Sequence, residues 1–349
     1  MKKLLLATAV AALSVSAAHA APTVYGKAFV TADYYDKDKG FDSDSEKKDY
    51  KATKLNSDSS RIGLKGAESL TANTDLVYQL EYGIEIDDSN GGKNKGKNQN
   101  QFYSRDTYLG LANKQYGTFL AGRLTTIDDM INYANLASGG VIGGDNDLAS
   151  IDGPRANNAF AYVSPSYSGL NFLGMYALNG NSKNDYTRDD LDLTLPNGKS
   201  ADDYDKWGVG VKYEPEGQPY RLGTTYMSVG SDKVKDIRVS GAYDLTPAFT
   251  LGGLYQNTDI DGADKKENAY TLSGSYKTVT PWTVYGQADY VKNVLGTDGD
   301  DTQRYLIGSK YAFNKATTGH IYGAYMNKDF KDADSAKGYS IGTGIEYLF

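Results

Sequence analysis

The chain reads as an all-β protein, a transmembrane β-barrel of 16 antiparallel strands. Three observations carry this reading. First, Tyr339, Ile341, Thr343, Ile345, Tyr347 and Phe349 alternate with Ser340, Gly342, Gly344, Glu346 and Leu348. A period of two belongs to a strand whose two faces meet different surroundings. Second, Leu76, Tyr78, Leu80, Tyr82, Ile84 and Ile86 share one face opposite Asp75, Val77, Gln79, Glu81, Gly83 and Glu85. A helix, with its period of 3.6, cannot produce that pattern. Third, tyrosine numbers 30 against 10 phenylalanines and 2 tryptophans. Its apolar ring and wet hydroxyl suit a membrane–water boundary. A tyrosine-rich soluble sandwich is the competing reading of that composition.

Residues 1–20 are expected to be a cleaved signal peptide, followed by a single domain over 21–349. Lys2 and Lys3 open the segment, an apolar run covers 4–15, and Ala18-His19-Ala20 supplies the small-residue cleavage site. Removing 20 of 349 residues leaves 329, and losing two lysines takes the net charge from −7 to −9. No later segment offers the roughly 18 apolar residues a spanning helix needs. A mean hydropathy of −0.54 does not exclude a barrel, because half of each strand faces water. The absence of cysteine excludes a disulfide framework and thiolate metal sites.

The strands are placed at 23–35, 59–67, 74–86, 101–111, 117–123, 157–164, 169–179, 206–213, 220–228, 235–245, 248–257, 268–277, 281–292, 303–312, 317–326 and 339–349. Short connections at 112–115, 165–168, 214–219, 246–247, 278–281 and 314–315 alternate with long, polar, glycine-rich ones at 36–58, 87–101, 124–156 and 180–203. Tight turns on one rim and long loops on the other fit short periplasmic turns and long extracellular loops. In the second half the alternation is explicit. Ile237, Val239, Tyr243 and Leu245 oppose Arg238, Ser240, Ala242 and Asp244, and Trp282, Val284 and Tyr290 oppose Thr283, Gln287 and Asp289. Proline falls in the turns, as a hydrogen-bonded ladder requires. The strand at 317–326 has no evident outward face.

Several motifs resemble those of the Gram-negative general porins of the neisserial type. They are Ser60-Arg61-Ile62-Gly63-Leu64-Lys65-Gly66, Ser104-Arg105-Asp106-Thr107-Tyr108-Leu109-Gly110-Leu111, Tyr116 to Arg123, Arg155-Ala156-Asn157-Asn158, Tyr162 to Leu170, and the closing Tyr347-Leu348-Phe349. The Pro-Glu-Phe-Gly loop signature of enteric porins is missing. The resemblance implies a homotrimer of 16-stranded barrels in the outer membrane of a Gram-negative bacterium, surrounded by lipid and lipopolysaccharide. It implies an inward-folded third loop, here 124–156, and passive diffusion of small hydrophilic solutes and ions. It also implies that Phe349 and Tyr347 act as a signal to the barrel-assembly machinery.

On that basis the expected pore constriction sets Arg61, Arg105, Arg123 and Arg155 against Asp128, Asp129, Asp145, Asp147 and Asp152. Lys27 and Lys65 stand nearby. Opposed charges across a narrow aqueous gap would impose a transverse field on passing solutes. Arginine suits the wall because confinement does not discharge it.

Other chemistries fit poorly. A barrel hydrolase needs a histidine beside a nucleophile, and the mature chain keeps only His320. Asn257 to Gly262 starts like a calcium loop, but Asn268 stands where the bidentate glutamate belongs. Asn90 to Lys97 is glycine-rich and basic without the P-loop pairing of Gly-Lys with Ser or Thr. No enzyme activity, cofactor, metal or nucleic-acid partner is expected. The alternatives within the fold are a solute-specific channel, against which Tyr133 stands as the single aromatic of loop 124–156, and a plugged structural or adhesive barrel.

Overall fold

Alternation running from one end of the chain to the other leaves every strand with two edges to satisfy, and the chain satisfies them by closing on itself. The computed structural model describes residues 21–42, 48–87, 102–140, 142, 153–178, 205–230 and 233–349. The expected signal peptide at 1–20 lies outside them, as do the connections at 88–101 and 179–204. Among the described residues there are 17 strand segments: β1 (Thr23–Lys37), β2 (Tyr50–Ser57), β3 (Arg61–Thr71), β4 (Thr74–Ile84), β5 (Phe102–Asn113), β6 (Gly117–Thr125), β7 (Arg155–Val163), β8 (Leu170–Ala177), β9 (Lys206–Tyr213), β10 (Tyr220–Val229), β11 (Val234–Asp244), β12 (Phe249–Ile260), β13 (Glu267–Lys277), β14 (Trp282–Lys292), β15 (Asp301–Ala312), β16 (Thr317–Phe330) and β17 (Ala333–Leu348).

These segments make 16 staves. β2 and β3 pair in succession along the same edge of β1, Val30 opposite Ser57 and then Lys27 opposite Arg61. Asp58-Ser59-Ser60 interrupts them with one extra residue, and Ser59 takes φ 52° to absorb it. Every neighbouring pair is antiparallel, and β17 returns to β1 with Leu348 opposite Lys27. Beyond that register, Phe349 and Gly26 exchange both backbone hydrogen bonds, at 3.1 and 2.8 Å. No edge is left for lipid to meet.

The outer surface is apolar. Leu272, Ile307 and Ile341 are each more than 60% exposed. Tyr255, Tyr270 and Tyr290 stand side by side across β12–β14, and Tyr305, Tyr325 and Tyr339 continue the row across β15–β17. A second aromatic row, including Trp282, Tyr311, Phe313, Tyr347 and Phe349, follows the short-turn rim. Two such girdles with aliphatic residues between them match a lipid slab. β16 now has a defined outside: Ile321 and Tyr325 are exposed, while His320, Tyr322 and Ala324 are buried inward.

Several strand ends move by a few residues, and two differences are larger: 50–57, expected as part of the connection 36–58, forms β2, and β17 begins at Ala333 instead of 339. Both extra stretches are polar, with Lys51, Lys54 and Asn56 in one and Asp334, Ser335 and Lys337 in the other. They extend at the long-loop rim, where no hydrocarbon imposes an oily face. Backbone pairing continues there without the alternation that reveals it.

Candidate pore constriction

The third loop folds inward. After β6 the chain makes a short 3-10 turn, Ile127–Ile131, whose two isoleucines are fully buried. Burying each contributes about 1.5–3 kcal/mol. Ile131 sits where a Cβ on Gly223 of β10 would be, 2.3 Å from its Cγ2. The Tyr133 amide donates to Ser240 Oγ at 3.3 Å and its hydroxyl to Glu214 Oε1 at 2.9 Å. Burial and the Glu214 carboxylate push that hydroxyl's pKa well above the ordinary tyrosine value. The Leu136 amide donates to Gln287 Oε1 of β14 at 2.7 Å. Ala137 and Ile142 join an inner apolar cluster with Tyr35, Phe41, Tyr285, Leu306 and Met326. The described residues of the loop therefore line the inner wall from β10 round to β17 and leave the wall of β3–β7 facing the lumen.

That facing wall carries the four arginines. Arg61 begins β3, with Lys27 directly across the ladder on β1. Arg105 lies on β5, Arg123 on β6 and Arg155 at the start of β7. Like charges side by side on a ladder are unfavourable, and carboxylates on the same wall offset them. Glu81 Oε1 accepts from Arg105 Nε at 2.7 Å, and its Oε2 lies 3.5 Å from Arg61 Nε and accepts the Tyr25 hydroxyl at 2.9 Å. Asp106 Oδ1 accepts from Arg155 Nε at 2.8 Å and from the amide and hydroxyl of Thr125. Arg123 donates to the Ser104 carbonyl and, at 2.6 Å, to Asn157 Oδ1.

Register shifts produce this crowding. The β4–β5 ladder jumps between Leu80 and Tyr82, so Arg105 and Asp106 together oppose Glu81. In a regular strand they would point to opposite faces; the bulge lets both reach the acid–base cluster. The β6–β7 ladder jumps between Gly122 and Leu124 at Arg123, opposite Asn157 and Asn158, where Asn158 takes φ 51°.

Of the described loop aspartates, Asp128 does not face the arginines. Asp128 is 1% exposed and turns away from the arginine wall toward Arg238 of β11, with Oδ2 and Nη2 3.6 Å apart. The same oxygen accepts the Gly153 amide at 2.9 Å. Asp128 thus clamps both ends of the loop to the barrel. Asp129 lies against Gly153. Asp145, Asp147 and Asp152 fall outside the described residues. Glu81, Asp106 and Arg238 were not among the expected site residues. Glu81 lies on the polar face of the clearest strand, so alternation marks it as inward. Asp106 is likewise inward by parity, opposite the exposed Leu109 and Leu111; its pairing with Arg155, and that of Arg238 with the loop, appear only in the folded chain.

The other candidate residues resolve simply. His320 is 2% exposed, with its ring 4.6 Å from that of Phe29. In the calcium-like run, Asp259 pairs with Lys266 and Asp261 with Lys233. The hydrogen bond from Lys233 holds the Asp261 carboxyl below its usual range.

Comparison with known proteins agrees with this architecture. A family model described as Gram-negative porin matches residues 7–333. An outer membrane porin protein of Bordetella pertussis is 27% identical over the full length of both chains. The major outer membrane protein P.IB of Neisseria sicca is 24% identical, also over all of both. Among solved structures, an anion-selective porin from Comamonas acidovorans superposes with a TM-score of 0.67 at 19% identity, covering 94% of this chain and 99% of that one.

Proposed function

The chain belongs to the Gram-negative porin family, and from that premise we propose that it forms a water-filled channel for passive diffusion of small hydrophilic solutes and ions across the outer membrane. The carrying observation is a closed barrel with an oily outside, an inward loop against one wall and a row of arginines on the wall opposite. The channel replaces about 25 Å of hydrocarbon with polar surface. Solutes move down their gradients with no catalytic step, cofactor or metal.

In this reading Arg61, Arg105, Arg123 and Arg155 supply the cationic side of the constriction, offset by Glu81 and Asp106. Asp129, Asp145, Asp147 and Asp152 supply the loop's negative side. Asp128 serves as the loop's anchor. The protein works as a homotrimer in lipid and lipopolysaccharide, exported with a cleaved leader at 1–20 and inserted by the barrel-assembly machinery.

Single-channel recording in a bilayer under a salt gradient tests the reading: large ohmic steps are expected. Small, solute-blockable steps would favour a specific channel, and silence a plugged barrel. Arg105→Gln is expected to shift the reversal potential toward cations, and Glu81→Gln toward anions. One unit charge about 6 Å away in water changes an ion's energy by ~0.7 kcal/mol, roughly a threefold change in permeability ratio. Arg105→Gln leaves Glu81 its contacts with Arg61 and Tyr25, so the wall stays satisfied. Unchanged potentials in both variants would remove this pair from the ion path.

A further inference from the structure

We propose that Asp58 is a neutral carboxylic acid at neutral pH, sharing a proton relay with Asp33, and that its ionisation sets the ion selectivity of the pore. This inference deepens the porin reading and rests on it. The observation is a proton count. Thr31 Oγ lies 2.6 Å from Asp33 Oδ2 and 2.8 Å from Asp58 Oδ2. A threonine hydroxyl owns one proton and can donate to only one of them. The other contact, at hydrogen-bond distance between two oxygens, needs a proton from a carboxyl group.

The partners decide which carboxyl carries it. Asp33 is fully buried, and its oxygens already accept the Tyr322 hydroxyl at 2.7 Å and the Asn56 amide at 2.7 Å. With the Thr31 hydroxyl these make three donors on its two oxygens, so every contact of Asp33 is made without a proton of its own. Asp58 is half-buried and accepts the backbone amide of Gly140. The relay therefore runs from Asp58 O–H to Thr31 Oγ, and from Thr31 O–H to Asp33. The charged and titratable groups facing Asp58 are Asp33 and Lys27 of β1 and Tyr322 of β16. Lys27 favours ionisation of Asp58, and Asp33 opposes it.

The placement couples this proton to transport. Asp58 sits at the break between β2 and β3, three residues before Arg61. The third loop rests on it: a Cβ on Gly139, where φ is 77°, would come within 3.2 Å of Asp58 Oδ2, the Phe29 ring and the Tyr322 hydroxyl. Ionising Asp58 adds a negative charge beside Lys27 and breaks the relay under the loop.

Reversal potentials measured on the full-length channel between about pH 5 and pH 9, spanning the ordinary range up to a raised carboxyl, test the proposal. Wild type is expected to move toward cation preference as pH rises, roughly threefold in permeability ratio for one unit charge. Asp58→Asn, which keeps the shape, is expected to hold the low-pH value throughout. Infrared spectroscopy of the reconstituted protein at neutral pH is expected to show a protonated-carboxyl band that Asp58→Asn removes. An undiminished pH shift in Asp58→Asn, the absence of that band in wild type, or its persistence in Asp58→Asn would overturn the assignment. Silent channels throughout would overturn the porin reading, while the infrared band would still decide where the proton resides.

Discussion

Replacing Arg238 with methionine is expected to unseat the third loop and leave the barrel standing. The guanidinium is completely buried, donates to Gln256 Oε1 at 2.7 Å and faces both the carbonyl and the carboxylate of Asp128. Without it, Asp128 is left as a buried charge beside Asp236, whose Oδ2 has no hydrogen-bond partner among the described residues. Breaking a buried pair from one side costs about 3–5 kcal/mol. The barrel's ladders do not pass through this contact, so the cost falls on the loop. At about 1.4 kcal/mol per decade, the detached population rises by roughly a hundredfold or more, resisted by the apolar seats of Ile127, Ile131 and Ile142. Noisier, larger single-channel steps and faster proteolysis within the loop are the expected readouts. Combining Arg238→Met with Asp128→Asn removes the orphaned charge and is expected to recover much of the wild-type behaviour. A single variant with wild-type noise and cleavage would show that the apolar seats alone hold the loop.

Deleting Phe349 is expected to cause the second large effect, a failure to close the barrel. Phe349 supplies two backbone hydrogen bonds to Gly26, and its ring occupies the space a side chain there would fill, 2.2 Å from an ideal Cβ. The same ring stacks on Tyr347 at 6.0 Å. An unsatisfied backbone group costs about 1–3 kcal/mol when it loses its partner away from water, and this pair is the end of the seam between β17 and β1. Gly26→Val displaces the ring and also meets the Arg61 carbonyl at 2.8 Å, so it is expected to reproduce the defect without removing the residue. Heat-modifiable assembly, measured both in cells and after refolding into lipid, separates two roles. Loss in both settings assigns Phe349 to the seam. Loss in cells alone assigns it to recognition by the assembly machinery. Normal assembly in both would dismiss either role.

The same contrast between local and distant causes explains what could be read in advance. The inward position of Glu81 follows from its neighbours Leu80 and Tyr82, because a strand between lipid and water sorts adjacent side chains to opposite faces. Arg105 violated that sorting: alternation puts it on the outward face of Leu109 and Leu111, yet the extra residue opposite Glu81 brings Arg105 and Asp106 into one cluster, and no sequence period signals where a bulge falls. β2 was missed because Lys51, Lys54 and Asn56 pair outside the hydrocarbon, where alternation is not enforced.

Solvent contrast acts on each residue separately, and it wrote the barrel, its 16 staves and its aromatic rims into the linear order of side chains; the arginine wall was named by the resemblance of its motifs. The destination of the third loop obeys no such local rule. Asp128 could have met Arg61, Arg105 or Arg123; it meets Arg238, 110 positions away, because the isoleucines beside it bury against β10 and carry the carboxylate across the lumen. Partners joined only by closure of the barrel have no periodic trace, so the pairing of the charges was decided by the tertiary structure alone.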